Sequence, residues 1–243
     1  MTDWPPVIAM IITYERTPLA LETIRSVKER VIYPNIGFHI ADDGSNGSHV
    51  ASLLSEIGAS YSVEVTNAKR KGVGTNMNLG MEASLKRSNF ILWLEDDWAI
   101  EKGQTLDLQP CVELLLEEKD IGMVRLATLP GSIEANSMKA VGKVWWRLKK
   151  GSDPYVMNGQ ASLRHVRFCN AYGLYPEGFT PGKTELMMCH HFDITKGPDI
   201  VWPAWLSTGQ TFKHLGDSQS YKCLMEQEGK TAEQAAEIFK GRG

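Results

Sequence analysis

Phe90-Ile91-Leu92-Trp93-Leu94-Glu95-Asp96-Asp97 is the stretch on which the fold turns. Its apolar run reads as a short strand, and the three acids that follow emerge where that strand leaves its sheet. Working outward, Val7–Thr13 has the same character, bounded by Pro5-Pro6 before it and Glu15-Arg16-Thr17-Pro18 after it. Thr17 and Pro18 form a helix start, and Leu19, Ile24 and Val27 supply an apolar face to about Arg30. Tyr33-Pro34-Asn35 breaks the chain, and Gly37–Ala41 reads as a second strand ending in the turn-forming cluster Asp42-Asp43-Gly44-Ser45. Val50–Ile57 reads as helix, Tyr61–Val65 as strand and Asn76–Arg87 as helix. Strands alternating with helices predict a three-layer, Rossmann-like α/β/α fold with a mostly parallel central sheet. In such folds ligands sit beyond the carboxyl ends of the strands. Three polar clusters fall there: Thr13 to Arg16, Asp42 to Ser45, and Glu95 to Asp97.

After Gly103 the pattern loosens. Val112–Lys119 reads as helix, Met123–Ala127 as strand and Thr184–His191 as helix, with a short polar helix over Thr231–Lys240. Residues 130–182 are rich in Gly, Pro, aromatic and basic residues. The chain of 243 residues is 42% hydrophobic and 23% charged, ordinary for a globular protein with a real core. Its net charge of -3 hides an asymmetry. Lys139, Lys143, Arg147, Lys149, Lys150, Arg164 and Arg167 face a single acid, Asp153, a local +6 that leaves -9 for the rest. Cys111, Cys169, Cys189 and Cys223 are scattered without a Cys-x-x-Cys pair, so reduced thiols are expected. No run approaches the ~18 apolar residues of a membrane span, and Val7–Ile12 is too short for a signal peptide, which makes the cytoplasm the default location.

Adjacent carboxylates such as Asp96 and Asp97 repel unless a cation or hydrogen-bond donors neutralise them. A hard divalent cation takes carboxylate oxygens and keeps sites for water and substrate phosphates. The first hundred residues resemble the nucleotide-sugar domain of family 2 glycosyltransferases, which have the GT-A fold. Ile11-Ile12-Thr13-Tyr14-Glu15-Arg16 resembles that family's opening strand and loop, and Ala41-Asp42-Asp43-Gly44-Ser45 its Asp-Asp-Gly-Ser turn. Gly72-Val73 with Asn78 and Gly80 resembles its Gly-rich segment, and Glu95-Asp96-Asp97 stands in the place of its Asp-x-Asp motif. The resemblance implies a UDP-sugar donor and Mn²⁺ or Mg²⁺. Thr13 and Asp43 would hold the base, Glu15, Arg16 and Asn78 would belong to the donor site, Asp96 would face the ribose or a metal-bound water, and Asp97 would ligate the metal. Residues 1–103 become the donor half, 104–225 an acceptor half with catalytic base and lid, and 226–243 a peripheral tail. Two positions depart from the family: Glu95 replaces an Asp, and Met77 stands where many members have a basic residue. Lys69, Arg70 and Lys71 are the candidates to compensate.

An inverting transfer needs a base for the acceptor hydroxyl. Gly178–Leu186 resembles the family segment that carries it, which makes Glu185 the candidate. Phe212-Lys213-His214-Leu215-Gly216 resembles the stretch that holds a metal- or diphosphate-contacting His, which makes His214 a second metal ligand. Trp145, Trp146, Trp202 and Trp205 could stack on sugar or base, with core packing as the alternative. Basic residues interleaved with Trp145, Trp146 and Tyr155 fit a phosphate-tracking surface, so nucleic acid bearing a hydroxymethylated base is one expected acceptor; a small or saccharide acceptor is the other. Nucleotidyl transfer onto a sugar phosphate is a competing chemistry, but Thr13-Tyr14-Glu15-Arg16 lacks the glycines it needs. A non-catalytic nucleotide-sugar-binding module is the third reading.

Overall fold

In the computed structural model, which describes residues 4–127, 134–152, 156–208 and 211–216, the first apolar run forms β1 (Val7–Thr13), buried along its whole length. Pro18 starts α1 (Thr17–Arg30), where a missing N–H costs nothing. There follow β2 (Ile36–Asp42), α2 (Gly47–Ile57), β3 (Val63–Asn67), α3 (Val73–Leu85), β4 (Phe90–Glu95), α4 (Gln109–Glu117) and β5 (Ile121–Arg125). α2 begins three residues before the apolar face does, because the Asn46 side chain caps it by accepting from the His49 N–H at 3.0 Å.

The stretch expected to be irregular holds β6 (Ala135–Ala140), β7 (Lys143–Leu148), β8 (Ser162–His165) and α5 (Val166–Tyr172), followed by α6 (Pro181–Ile194) and β9 (Asp199–Pro203). These nine strands form one sheet, in the order β3-β2-β1-β4-β8-β5-β9-β7-β6. The pairings β3/β2, β2/β1, β1/β4 and β5/β9 are parallel. β8 runs against β4 and β5, and β7 against β9 and β6, so the remaining strands share one direction and the sheet is mostly parallel.

Alternate residues of the central strands feed two cores. Ala9, Ile11, Leu92 and Leu94 pack with Ile24, Leu53 and Leu114 from α1, α2 and α4. Met10, Ile12, Ile91 and Trp93 pack with Met77, Phe168 and Phe192 from α3, α5 and α6. This is the expected three-layer arrangement. α3 lies close on the sheet because it has a glycine there: a Cβ on Gly80 would come within 2.6 Å of the Ala41 Cβ.

The chain forms two compact units, residues 1–213 and 214–243. Cys111, Cys169 and Cys189 are buried. Cys223, Asp153, Tyr155 and the helix expected over Thr231–Lys240 lie outside the described residues. Among the described residues no helix is long and apolar enough to cross a membrane.

Candidate active site

The register β2-β1-β4 sets Thr13 beside Asp42 and Ile12 beside Glu95, so the three polar clusters leave the sheet at one edge. The Asp43 N–H donates to the Thr13 carbonyl at 3.1 Å, and the Asp96 N–H to the Ile12 carbonyl at 3.0 Å. Asp42 serves the turn: its carboxylate accepts from the N–H groups of Gly44 and Ser45 and from the Asn67 amide. Asp43 is left to face outward, half-buried, held at 3.2 Å by the Gly72 N–H. Burial raises its pKa, against the pull of that N–H. The Arg70 guanidinium lies over the Tyr14 ring, 5.2 Å from its centroid. Glu15, Lys69 and Arg70 all have positive φ, at 57°, 54° and 61°, unusual strain for side-chain-bearing residues gathered around one corner.

Asp96 and Asp97 are buried, with 0% and 1% side-chain exposure. The Thr13 hydroxyl donates to Asp96 at 2.7 Å and also meets the His49 ring, so this side chain orients the acid. Arg16 spans the pair: one guanidinium nitrogen bonds Asp96 and the other bonds Asp97 at 2.7 Å. Burial pushes Asp96 up to about 6 although Arg16 pulls the other way. Burial also opposes the Arg16 charge, but Asp96, Asp97 and Glu95 outweigh it and raise its pKa.

Glu95 turns to the other face of the sheet, toward α6. A Cβ on Gly159 would lie 1.9 Å from a Glu95 carboxyl oxygen, so a side chain there would push the Glu95 carboxylate from its place. The Gly159 N–H donates to Glu185 at 2.6 Å. Glu185 therefore points inward against the same loop; it sits in the second turn of α6 and does not serve the helix N-terminus. Both carboxyls have raised pKa values, Glu95 through burial and then the Glu185 charge, Glu185 through burial. The loop itself hangs on Arg125, whose guanidinium donates to Asn158 at 2.6 Å, Gln160 at 2.8 Å and the Val156 carbonyl. Sequence reasoning missed both Gly159 and Arg125. The signal for Arg125 was a charge at the end of the apolar strand Ile121–Arg125.

Other candidates are engaged elsewhere. Glu15 accepts from the Asn46 N–H and side-chain amide, at 2.7 Å each, ahead of α2. Asn78 uses its amide on Tyr175 and Glu177, pinning the loop before α6 to α3. His214 ends the short strand Phe212–His214 and is the first residue of the second compact unit. Trp145 and Trp202 are core residues, and Trp205 packs edge-on against Trp145. Part of the basic stretch is engaged within the fold. Arg147 pairs with Asp120 and Asp199, Lys149 with Glu134, and Lys150 donates to the Thr195 carbonyl. Arg164 is buried against Trp93, and Arg167 caps carbonyls at the end of α4.

Among the described residues no three His, Cys, Asp or Glu side chains converge in a metal-holding group. Asp96 and Asp97 fit a divalent cation all the same: they are hard oxygen donors at one strand end, and Arg16 already stands on them as a cation. A small hard cation is commonly held by one or two carboxylates plus substrate phosphates.

Residues 8–165 match the model of the family described as Glycosyl transferase family 2. Solved structures share the fold. S. aureus TarS 1-349 aligns with a TM-score of 0.63 at 12% identity, over 89% of this chain and 62% of its own; TarS 1-349 has also been crystallised with UDP-GlcNAc. GalNAc-T7 with UDP, GalNAc and Mn²⁺ aligns at 0.59 and 15%, over 84% and 43%. The mannosyltransferase PcManGT from Pyrobaculum calidifontis, with GDP-Man and Mn²⁺, aligns at 0.55 and 13%, over 84% and 58%. The chain thus spans between 43% and 62% of the length of these neighbours, and at such identities the likeness shows the GT-A fold.

Proposed function

The chain belongs to glycosyltransferase family 2, and we propose that it is an inverting transferase that moves a sugar from a UDP-sugar to an acceptor hydroxyl. The observation that carries this reading is the pairing of two acidic groups on opposite faces of one strand end. Asp96 and Asp97 face Arg16 on one side; Glu95 and Glu185 flank Gly159 on the other. The first pair suits a diphosphate and its counter-cation, the second a proton acceptor.

In this reading Asp43 accepts from the nucleobase N–H at the outward face of the 42–45 turn. Asp97, with Asp96, would hold Mn²⁺ or Mg²⁺, which when bound would neutralise the diphosphate leaving group. Thr13 fixes Asp96, and Glu185 takes the proton from the acceptor hydroxyl as it attacks the anomeric carbon from the face opposite the diphosphate. The Gly159 N–H holds one Glu185 oxygen in place, and Arg125 fixes the loop that carries it. Burial keeps the Glu185 pKa above the ordinary carboxylate range, which makes it a stronger base.

For the acceptor, Arg164 and Arg167 are bonded within the fold and Arg147 pairs with Asp120 and Asp199, so fewer of the basic residues are left to track a polyanion, and this favours a small or saccharide hydroxyl. A hydroxymethylated base in DNA is the competing acceptor. The test is UDP release from a panel of UDP-sugars, with saccharides and hydroxymethylated DNA as acceptors. Transfer to a saccharide is expected; transfer to DNA alone would reverse the acceptor assignment, and no UDP release from any of the donors would remove the transferase reading.

A further inference from the structure

Arg16 does more at this site than a donor contact requires. Its side chain is 30% exposed while both carboxylates beneath it are closed to solvent, so the guanidinium forms the outer cover of Asp96 and Asp97. Its backbone is fixed by neighbours: the Glu15 N–H donates to Ser45 at 2.9 Å, and the Glu15 carboxylate grips Asn46. Arg16 is the N-cap residue of α1, and its guanidinium, which has only donors and cannot cap the helix, goes to the acids. A long side chain thus extends from a fixed backbone over two buried charges.

Resting on the metal-assisted reading above, we infer that Arg16 is a built-in counter-ion that competes with the divalent cation for Asp96 and Asp97 and transfers to the donor's diphosphate when both arrive. The charge balance drives the exchange. Two buried carboxylates and one guanidinium leave one negative charge, which the protein tolerates without ligand. A divalent cation on the same oxygens meets a guanidinium already bonded there, so its affinity for the free protein is held down. A nucleoside diphosphate changes the balance, because its phosphate oxygens offer the guanidinium a bidentate partner as good as the one it leaves. Arg16 then serves the diphosphate, and the vacated carboxylate oxygens face the cation. Cation and nucleotide bind cooperatively, each favouring the state in which Arg16 has moved.

The test measures Mn²⁺ binding by electron paramagnetic resonance, with and without UDP, for the wild-type protein, Arg16→Gln and Arg16→Lys. Thermal melting confirms that each variant is folded. Arg16→Gln should bind Mn²⁺ alone at least about tenfold more tightly than wild type, the size expected from removing a charge-assisted contact. It should bind UDP more weakly and lose most of the cooperativity, and Arg16→Lys should fall between. A folded Arg16→Gln that binds Mn²⁺ alone no better than wild type, while wild type does bind it with UDP, overturns the competition and leaves the metal reading standing. A wild-type protein that takes no Mn²⁺ even with UDP overturns both.

Discussion

Glu185 is one residue whose chemistry can be separated from its structural role. Replacing it with Gln keeps the size and an oxygen that can accept from the Gly159 N–H, but removes the basic group. Donor affinity should be unchanged, and turnover should fall by about 10² or more. Steady-state kinetics with a fixed acceptor checks this; turnover within a few-fold of wild type would mean that the proton goes elsewhere. The residues that form this site were unequally legible. Asp96 and Asp97 stood out because an apolar strand ended in them. Gly159 did not, because its requirement is a contact: Asn158-Gly159 reads as an ordinary turn until Glu95 is placed 1.9 Å from its missing Cβ. Arg16 was legible as a site residue, but its span across both acids depends on the fold bringing together residues 80 positions apart.

At the scale of elements, α3 and the loop before α6 are joined through Asn78. Its amide donates to the Tyr175 carbonyl and to Glu177 at 2.9 Å each and accepts from the Tyr175 N–H at 2.8 Å. Asn78→Ala should therefore cost about 1–3 kcal/mol of stability, because it leaves buried backbone groups unpaired. Urea denaturation measures it. Undiminished stability with weakened UDP binding would return Asn78 to the donor. Elements were readable where apolar runs and polar breaks alternate, from β1 through β4. They were not readable from 134 to 172. β6 and β7 join through Val141-Gly142, both at positive φ (50° and 71°), a two-residue hairpin loop that usually shows Asn or Gly in its first place. A β-branched residue there conceals the turn. The strand bounds shifted too: β3 begins at Val63, two residues beyond Tyr61, whose ring packs edge-on against Phe38.

For the whole molecule, acid should expose the cost of burying histidines. His39 lies within the sheet with its ring at 3.0 Å from Thr66, and burial, then Arg87, lower its pKa to about 4. His165 falls to about 4 as well, mainly by burial, and its ring nitrogen accepts from the Arg167 N–H at the start of α5. With folded values below the unfolded value of about 6.5, their stabilising share is complete above that pH and is lost as pH falls toward 4. Asp96, raised to about 6, acts in the opposite sense, so the net curve mixes both. His39→Gln isolates one contribution. The stability gap between wild type and this variant should narrow between pH 7.5 and pH 5, by roughly 1–2 kcal/mol. Equal gaps at the two pH values would contradict a neutral buried His39.

The most direct test of the donor site is calorimetry of UDP binding to wild type and Asp97→Ala, with and without Mn²⁺. The account predicts that Mn²⁺ strengthens UDP binding to wild type, that this gain disappears in Asp97→Ala, and that the variant stays folded, because Asp97 lies beyond the end of β4 and outside both apolar cores. The same Mn²⁺-dependent affinity in a folded Asp97→Ala would contradict it.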